Sequence, residues 1–137
     1  MAKGKITQVI GPVVDFEFAA EDLPKILETV EVTIGDKKLV VEIQQQLGDN
    51  QVRGVAMDST DGLVRGQEAE STGKAISVPV GEKALGRILN VLGEPIDGLG
   101  EVESKEKWEI HRPTPQFVNQ SSQTEIFETG LKVIDLI

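Results

Sequence analysis

The sequence predicts a mainly β protein whose first 80 residues close into a small barrel. Three observations carry that expectation. Apolar and polar residues alternate over short runs, Gly/Asp/Asn turn signals separate the runs, and no long helical stripe interrupts them before Val80. A closed barrel is favoured over an open sheet because closure removes the exposed edges that so many short strands would leave.

The elements follow in order. Residues 5–10 read as a strand closed by Gly11-Pro12. Val14, Phe16 and Phe18 then share one face, while Asp15 and Glu17 fall on the other, which is the two-residue period of a half-buried strand. After a loop through residues 21–24, Val30, Val32 and Ile34 alternate with Glu31 and Thr33 up to a turn at Gly35-Asp36. The return strand is expected to direct Leu39, Val41 and Ile43 inward and Lys38, Val40 and Glu42 outward. Gly48-Asp49-Asn50 makes the next turn, because these residues tolerate positive φ. Residues 51–57 form another strand, Ser59-Thr60-Asp61-Gly62 another turn, and residues 75–80 a last strand beyond the punctuating Gly66 and Gly73.

The character changes after Pro79. Leu85, Ile88, Leu89 and Leu92 fall on one stripe, predicting a helix over 83–92 that Gly93 terminates. Asp97-Gly98-Leu99-Gly100 reads as a tight turn, and residues 111–115 as extended because each proline disfavours helix in the residue before it. Thr129 is placed to cap a short terminal helix containing Leu131, Ile134 and Asp135. From residue 81 onward the pattern holds one helix and extended pieces with no sheet of their own. It reads as part of a larger domain.

Composition narrows the function classes. The 137 residues include 23 acids and 14 bases, a net charge of −9 that both halves share. Nucleic-acid binding depends on clustered cations that displace phosphate counterions, so no nucleic-acid partner is expected. The same acidity opposes docking on anionic lipid, and no run is long and apolar enough for direct membrane insertion. The chain has no cysteine, which removes disulfides, thiolate metal sites and a cysteine nucleophile, and its single histidine cannot make a histidine cluster. Strand-like sequence begins close to Met1 without a signal-like or transit-like segment, predicting a soluble protein kept where it is made.

Several motifs invite chemistry. Gly81-Glu-Lys-Ala-Leu-Gly86-Arg87-Ile88 has the glycine spacing of a phosphate loop. Arg87, however, stands where a lysine should reach the phosphates, and Ile88 where a hydroxyl should hold Mg²⁺. The acid pairs Asp15/Glu17 and Glu101/Glu103 are read as solvated surface, and His111 as a structural or surface residue without a carboxylate partner. Trp108, set among Lys105, Lys107 and Glu109, is either a partner anchor or a residue buried against the sheet of the larger domain that these residues do not include. Gln44-Gln45-Gln46 is expected to alternate faces in its strand and to supply polar contacts between subunits.

Three blocks carry a family resemblance. Residues 41–66, with Val41-Glu-Ile-Gln-Gln-Gln-Leu-Gly48, Val52-Arg53 and Ala56-Met57-Asp-Ser-Thr-Asp-Gly-Leu-Val-Arg-Gly66, resemble the catalytic beta subunit of F-type ATP synthases. Residues 80–98 and 128–136 resemble rotary ATPases more widely, including vacuolar-type and flagellar-export enzymes. The resemblance implies a six-stranded β-barrel over residues 1–80, followed over 81–137 by the incomplete start of a RecA-like α/β nucleotide-binding domain.

It also implies partners: alpha subunits alternating with beta subunits in a crown of barrels, and a gamma shaft in the complete complex. It implies a peripheral cytoplasmic location on the inner face of the plasma membrane, and ATP synthesis from ADP and phosphate driven by a proton or sodium gradient. ATP/ADP and Mg²⁺ would be bound in the complete subunit, through a Gly-Lys-Thr loop and a water-orienting carboxylate that these residues do not include. No catalytic, cofactor-binding or metal-ligating residue is therefore assigned here. Hexamer assembly is the expected role. A self-contained β-barrel binding module, or a subunit of a vacuolar-type or export ATPase, is the alternative.

Overall fold

The computed structural model describes residues 2–136; Ile137, the last residue of the terminal block, lies outside them. Six strands close into one antiparallel barrel: β1 (Ala2–Ile10), β2 (Val13–Phe18), β3 (Glu28–Ile34), β4 (Lys37–Gly48), β5 (Gln51–Ala56) and β6 (Glu68–Ala75). Their order around the wall is β1-β2-β5-β4-β3-β6, and β6 pairs back onto β1 through Ala2↔Ser71 and Lys5↔Glu68. The mainly β expectation and the closed barrel hold.

Alternation explains the interior. Val14, Phe16 and Phe18 of β2, Val30 and Val32 of β3, and Leu39, Val41 and Ile43 of β4 are buried together with Ile6, Val52 and Ala69. The rings of Phe16 and Phe18 lie 6.3 Å apart at 50°, a tilted packing that suits aromatic quadrupoles. Apolar side chains point inward, opposite to the lipid-facing band of a membrane-spanning barrel. No helix among the described residues is long and apolar enough to cross a membrane.

Local chemistry sets the corners. Asp49 and Asn50, at φ 48° and 62°, join the register pair Gly48↔Gln51, so this is the two-residue hairpin in which both central residues take positive φ. Bulges interrupt the register of β1 between Ile6 and Gln8 and of β4 between Ile43 and Gln45, bending strands that must curve around a narrow wall. Gly54 answers a packing need: a Cβ there would come within 2.6 Å of Val41 Cγ1 and 2.7 Å of the Glu42 carbonyl oxygen.

Three expectations are corrected. The last barrel strand is Glu68–Ala75, not residues 75–80. Only the small residues Ala69 and Ser71 are fully buried along it, so it carries no apolar alternation to find. Beyond it, β7 (Ser77–Pro79) pairs with β8 (Lys107–Glu109) with Val78↔Trp108 at the centre, so residues from 81 onward contribute one strand to this small sheet.

The helix expected over 83–92 is absent. One 3₁₀ turn at Glu82–Ala84 gives way to a hairpin-like excursion bridged at Leu89↔Pro95. Gly86 takes φ +74°, outside the helical region, and Asn90 Oδ1 accepts the backbone N–H groups of Leu92 and Glu94, diverting them from helical partners. Leu85 and Ile88 of the expected stripe are consequently exposed.

The terminal helix α1 (Lys132–Asp135) forms, but its N-cap is Leu131 rather than Thr129. Thr129 Oγ1 instead accepts from Leu131 N–H at 3.1 Å and donates to Asp135 at 2.7 Å.

Candidate functional site

The barrel wall carries its chemistry on the outside, in polar groups that strand pairing brings together. Asp15 of β2 and Arg53 of β5 are direct register partners. The guanidinium donates to both carboxylate oxygens at 2.8 Å, and Asp15 is buried beneath it. This hydrogen bonding with Asp15, reinforced by its charge, raises the affinity of Arg53 for its proton above the ordinary arginine level. The reading of Asp15 as a solvated acid is thus corrected, whereas Glu17 is exposed as expected.

A second buried acid lies on β4. Glu42 was expected to face solvent, yet its side chain is 7% exposed. Gln44 Nε2 donates to its Oε1 at 2.6 Å, and His111 Nε2 lies 3.0 Å from its Oε2. The sequence reading gave His111 no carboxylate partner; folding supplies one from 69 residues away. An imidazole oriented by a carboxylate is half of a base-catalysis arrangement. Among the described residues no hydroxyl hydrogen-bonds to His111, so the nucleophilic half is not assembled there. Nearby, the Thr29 and Thr72 hydroxyls share a 2.6 Å hydrogen bond in which one donates to the other, and the accepting hydroxyl's own proton goes to the Lys74 carbonyl, which lies 3.0–3.1 Å from both; together they pin the β3–β6 bulge.

Gln44, Gln45 and Gln46 of β4 are all exposed rather than alternating between faces, and two of their side chains bond within the chain. Gln44 reaches Glu42, and Gln46 Nε2 donates to the Pro24 carbonyl at 3.0 Å.

The phosphate-loop look-alike is committed elsewhere. Arg87 donates to Asp97 at 2.6 and 3.0 Å, and to the Gly100 carbonyl. Asp97 also accepts the N–H groups of Ile88 and Leu99. The Arg87 bond, joined by those backbone donors, holds the Asp97 carboxyl far below the ordinary aspartate value. Arg87 therefore closes the 87–100 excursion, and its guanidinium is turned toward a carboxylate rather than a phosphate site. At the C-terminal turn, the Thr129 hydroxyl and the backbone N–H groups of Thr129 and Gly130 likewise lower the Asp135 carboxyl.

A surface cleft of about 710 Å³ runs between the outer face of β3 and β4 and residues 89–94. Its Lys38 is paired with Glu31 at 2.7 Å, and its two lysines, Lys37 and Lys38, are outnumbered by Glu31, Asp58 and Glu94. That lining is a poor electrostatic match for a polyphosphate.

Trp108 is half-exposed on β8, and the Arg112 guanidinium lies 3.7 Å from its ring centroid. Leu85, Val91, Leu99, Phe117, Ile126 and Phe127 also expose apolar surface.

What the residues build is a rigid cylinder with an apolar core, cross-strand ion pairs on its wall, and a segment beyond it rich in unpaired apolar surface. Residues 6–73, spanning β1 to β6, match the family model described as ATP synthase alpha/beta family, beta-barrel domain. This chain therefore carries the β-barrel domain of the ATP synthase alpha/beta family.

Proposed function

We propose that the chain belongs to the catalytic beta subunit of an F-type ATP synthase and that its barrel serves hexamer assembly. The observation that carries the reading is the block over residues 41–66. It supplies β4, the Asp49-Asn50 hairpin and β5 of the matched barrel, and it resembles beta subunits more closely than alpha subunits.

In this reading the barrel packs laterally between the barrels of two alpha subunits. The stiffness of a closed, fully paired wall lets it bear load while the nucleotide domains move around a gamma shaft. Residues after Val80 lead into the nucleotide-binding domain, where ATP/ADP and Mg²⁺ are held by groups outside these residues. The complex sits on the inner face of the plasma membrane and makes ATP from ADP and phosphate at the expense of a proton or sodium gradient.

The experiment is competitive assembly. The chain is mixed with purified alpha subunits of an F-type enzyme and, separately, with the non-catalytic subunits of a vacuolar-type enzyme, and complexes are resolved by size. Association with alpha alone supports the reading. Preference for the vacuolar-type subunit, or association with neither, overturns it. Titration with Mg-ATP tests the assembly-only role: micromolar binding to residues 1–137 contradicts it.

A further inference from the structure

The geometry points to a latch: Glu42 and His111 hold residues 107–112, as a strap, against the barrel wall in one of two discrete arrangements. Among the described residues, their 3.0 Å contact is the only hydrogen bond between strands β1–β6 and any residue beyond Val80. The strap's other ties reach only the short connection after the barrel. β8 pairs with β7, and Ile110 N–H donates to the Ile76 carbonyl at 3.0 Å.

A two-stranded sheet of three-residue strands is marginal by itself. The side-chain contact therefore decides whether the strap stays seated. An ionised carboxylate only accepts hydrogen bonds, so His111 Nε2–H donates to Glu42.

Burial makes the device two-state. The Glu42 side chain is 7% exposed and His111 39%, so the acid is held by the wall and the base arrives from outside. When the strap lifts, Glu42 keeps one side-chain partner, Gln44, and an under-solvated carboxylate remains in the wall until water replaces the imidazole. Partial withdrawal is thus less stable than either end state. The adjoining groove places further charges around the latch: Lys25, Glu28 and Lys74 from the barrel, and Glu109 from the strap itself. On the strap's exposed side, Arg112 stacks over Trp108, which gives a partner or a neighbouring domain a surface on which to act.

The test uses the full chain with Glu42→Ala, His111→Ala and the double substitution, reading amide hydrogen exchange and the emission of Trp108, the only tryptophan. Each single change should speed exchange of the Ile110 amide by roughly tenfold or more, the loss expected for one charge-assisted bond. The double change should add nothing further. Trp108 emission should shift in parallel, while the Val30 and Val41 amides inside the barrel keep their protection.

Unchanged Ile110 exchange in His111→Ala overturns the latch, as do additive effects in the double variant. Loss of protection at Val30 and Val41 in His111→Ala overturns it too, since the contact would then support the whole barrel rather than the strap. If Glu42→Ala perturbs the barrel, His111→Ala, which lies outside the wall, decides alone.

Discussion

Asp15 and Arg53 face each other across β2 and β5 as register partners, and the guanidinium closes over a buried carboxylate with two 2.8 Å hydrogen bonds. The two ends of this pair are unequal, because Asp15 is buried and Arg53 is partly solvated. Removing Arg53 strands a carboxylate in the wall, whereas neutralising Asp15 leaves a cation that can turn to water. Arg53→Ala should therefore lower the melting temperature more than Asp15→Asn. Equal or reversed losses in thermal melts would show that the pair acts only through its summed charge.

The barrel core sets the largest stability effects. Phe16 is fully buried against Phe18, so Phe16→Ala should cost about 3–5 kcal/mol of unfolding free energy in denaturant titration. A loss below about 1 kcal/mol would mean that the site collapses around the cavity or that the ring is not in the core.

At Gly54 the danger is excess volume. Gly54→Ala places a methyl group against Val41 Cγ1 and the Glu42 carbonyl, and the wall must open to admit it. A cost of about 1–3 kcal/mol is expected. Pairing it with Val41→Ala should recover part of that loss, and a double variant no better than the sum of both singles would place the clash elsewhere.

The Asp49-Asn50 hairpin offers a backbone test. Asn50 holds φ 62°, which β-branched residues resist, so Asn50→Val should cost about 1–2 kcal/mol and Asn50→Gly should be nearly neutral. Similar stability of the two variants would indicate that the turn readily adopts another form.

Acid should loosen the 87–100 excursion selectively. The Asp97 carboxyl is depressed in the folded chain, chiefly by Arg87 and then by the Leu99 N–H. A depressed carboxyl contributes stability that is fully present above the ordinary value of 3.8 and is lost as pH falls from there toward the folded-state value. Carboxyl NMR titration should place the Asp97 midpoint well below 3.8, and Arg87→Ala should bring it back up. An Asp97 midpoint near 3.8 in the unsubstituted chain would remove the clamp from the account.

The match of sequence to structure follows the range of the forces involved. Alternation along β2, β3 and β4 placed Phe16, Val32 and Val41 inside, because a strand's own period sets its faces before any partner is chosen. The Asp49-Asn50 turn was legible for the same reason: positive φ is a one-residue preference. β6 was misplaced because Ala69 and Ser71 fill a narrow part of the interior with small side chains, which leave no hydrophobic pattern. A helix was expected over 83–92 because its stripe obeys the helical period. Gly86 and Asn90 broke that period locally, and Asp97 then fixed the alternative through Arg87.

By itself, then, the sequence determined the β class, the inward faces and the corners, together with the resemblance carried by residues 41–66. Which polar groups are buried was decided only by tertiary structure. Asp15 and Glu42 sit at outward positions that alternation assigns to solvent, and they are covered by Arg53 and His111, 38 and 69 residues further along the chain. Charge burial depends on who arrives to pair with the group: pairing of β2 with β5 brings Arg53 to Asp15, and the strap beyond the barrel brings His111 to Glu42.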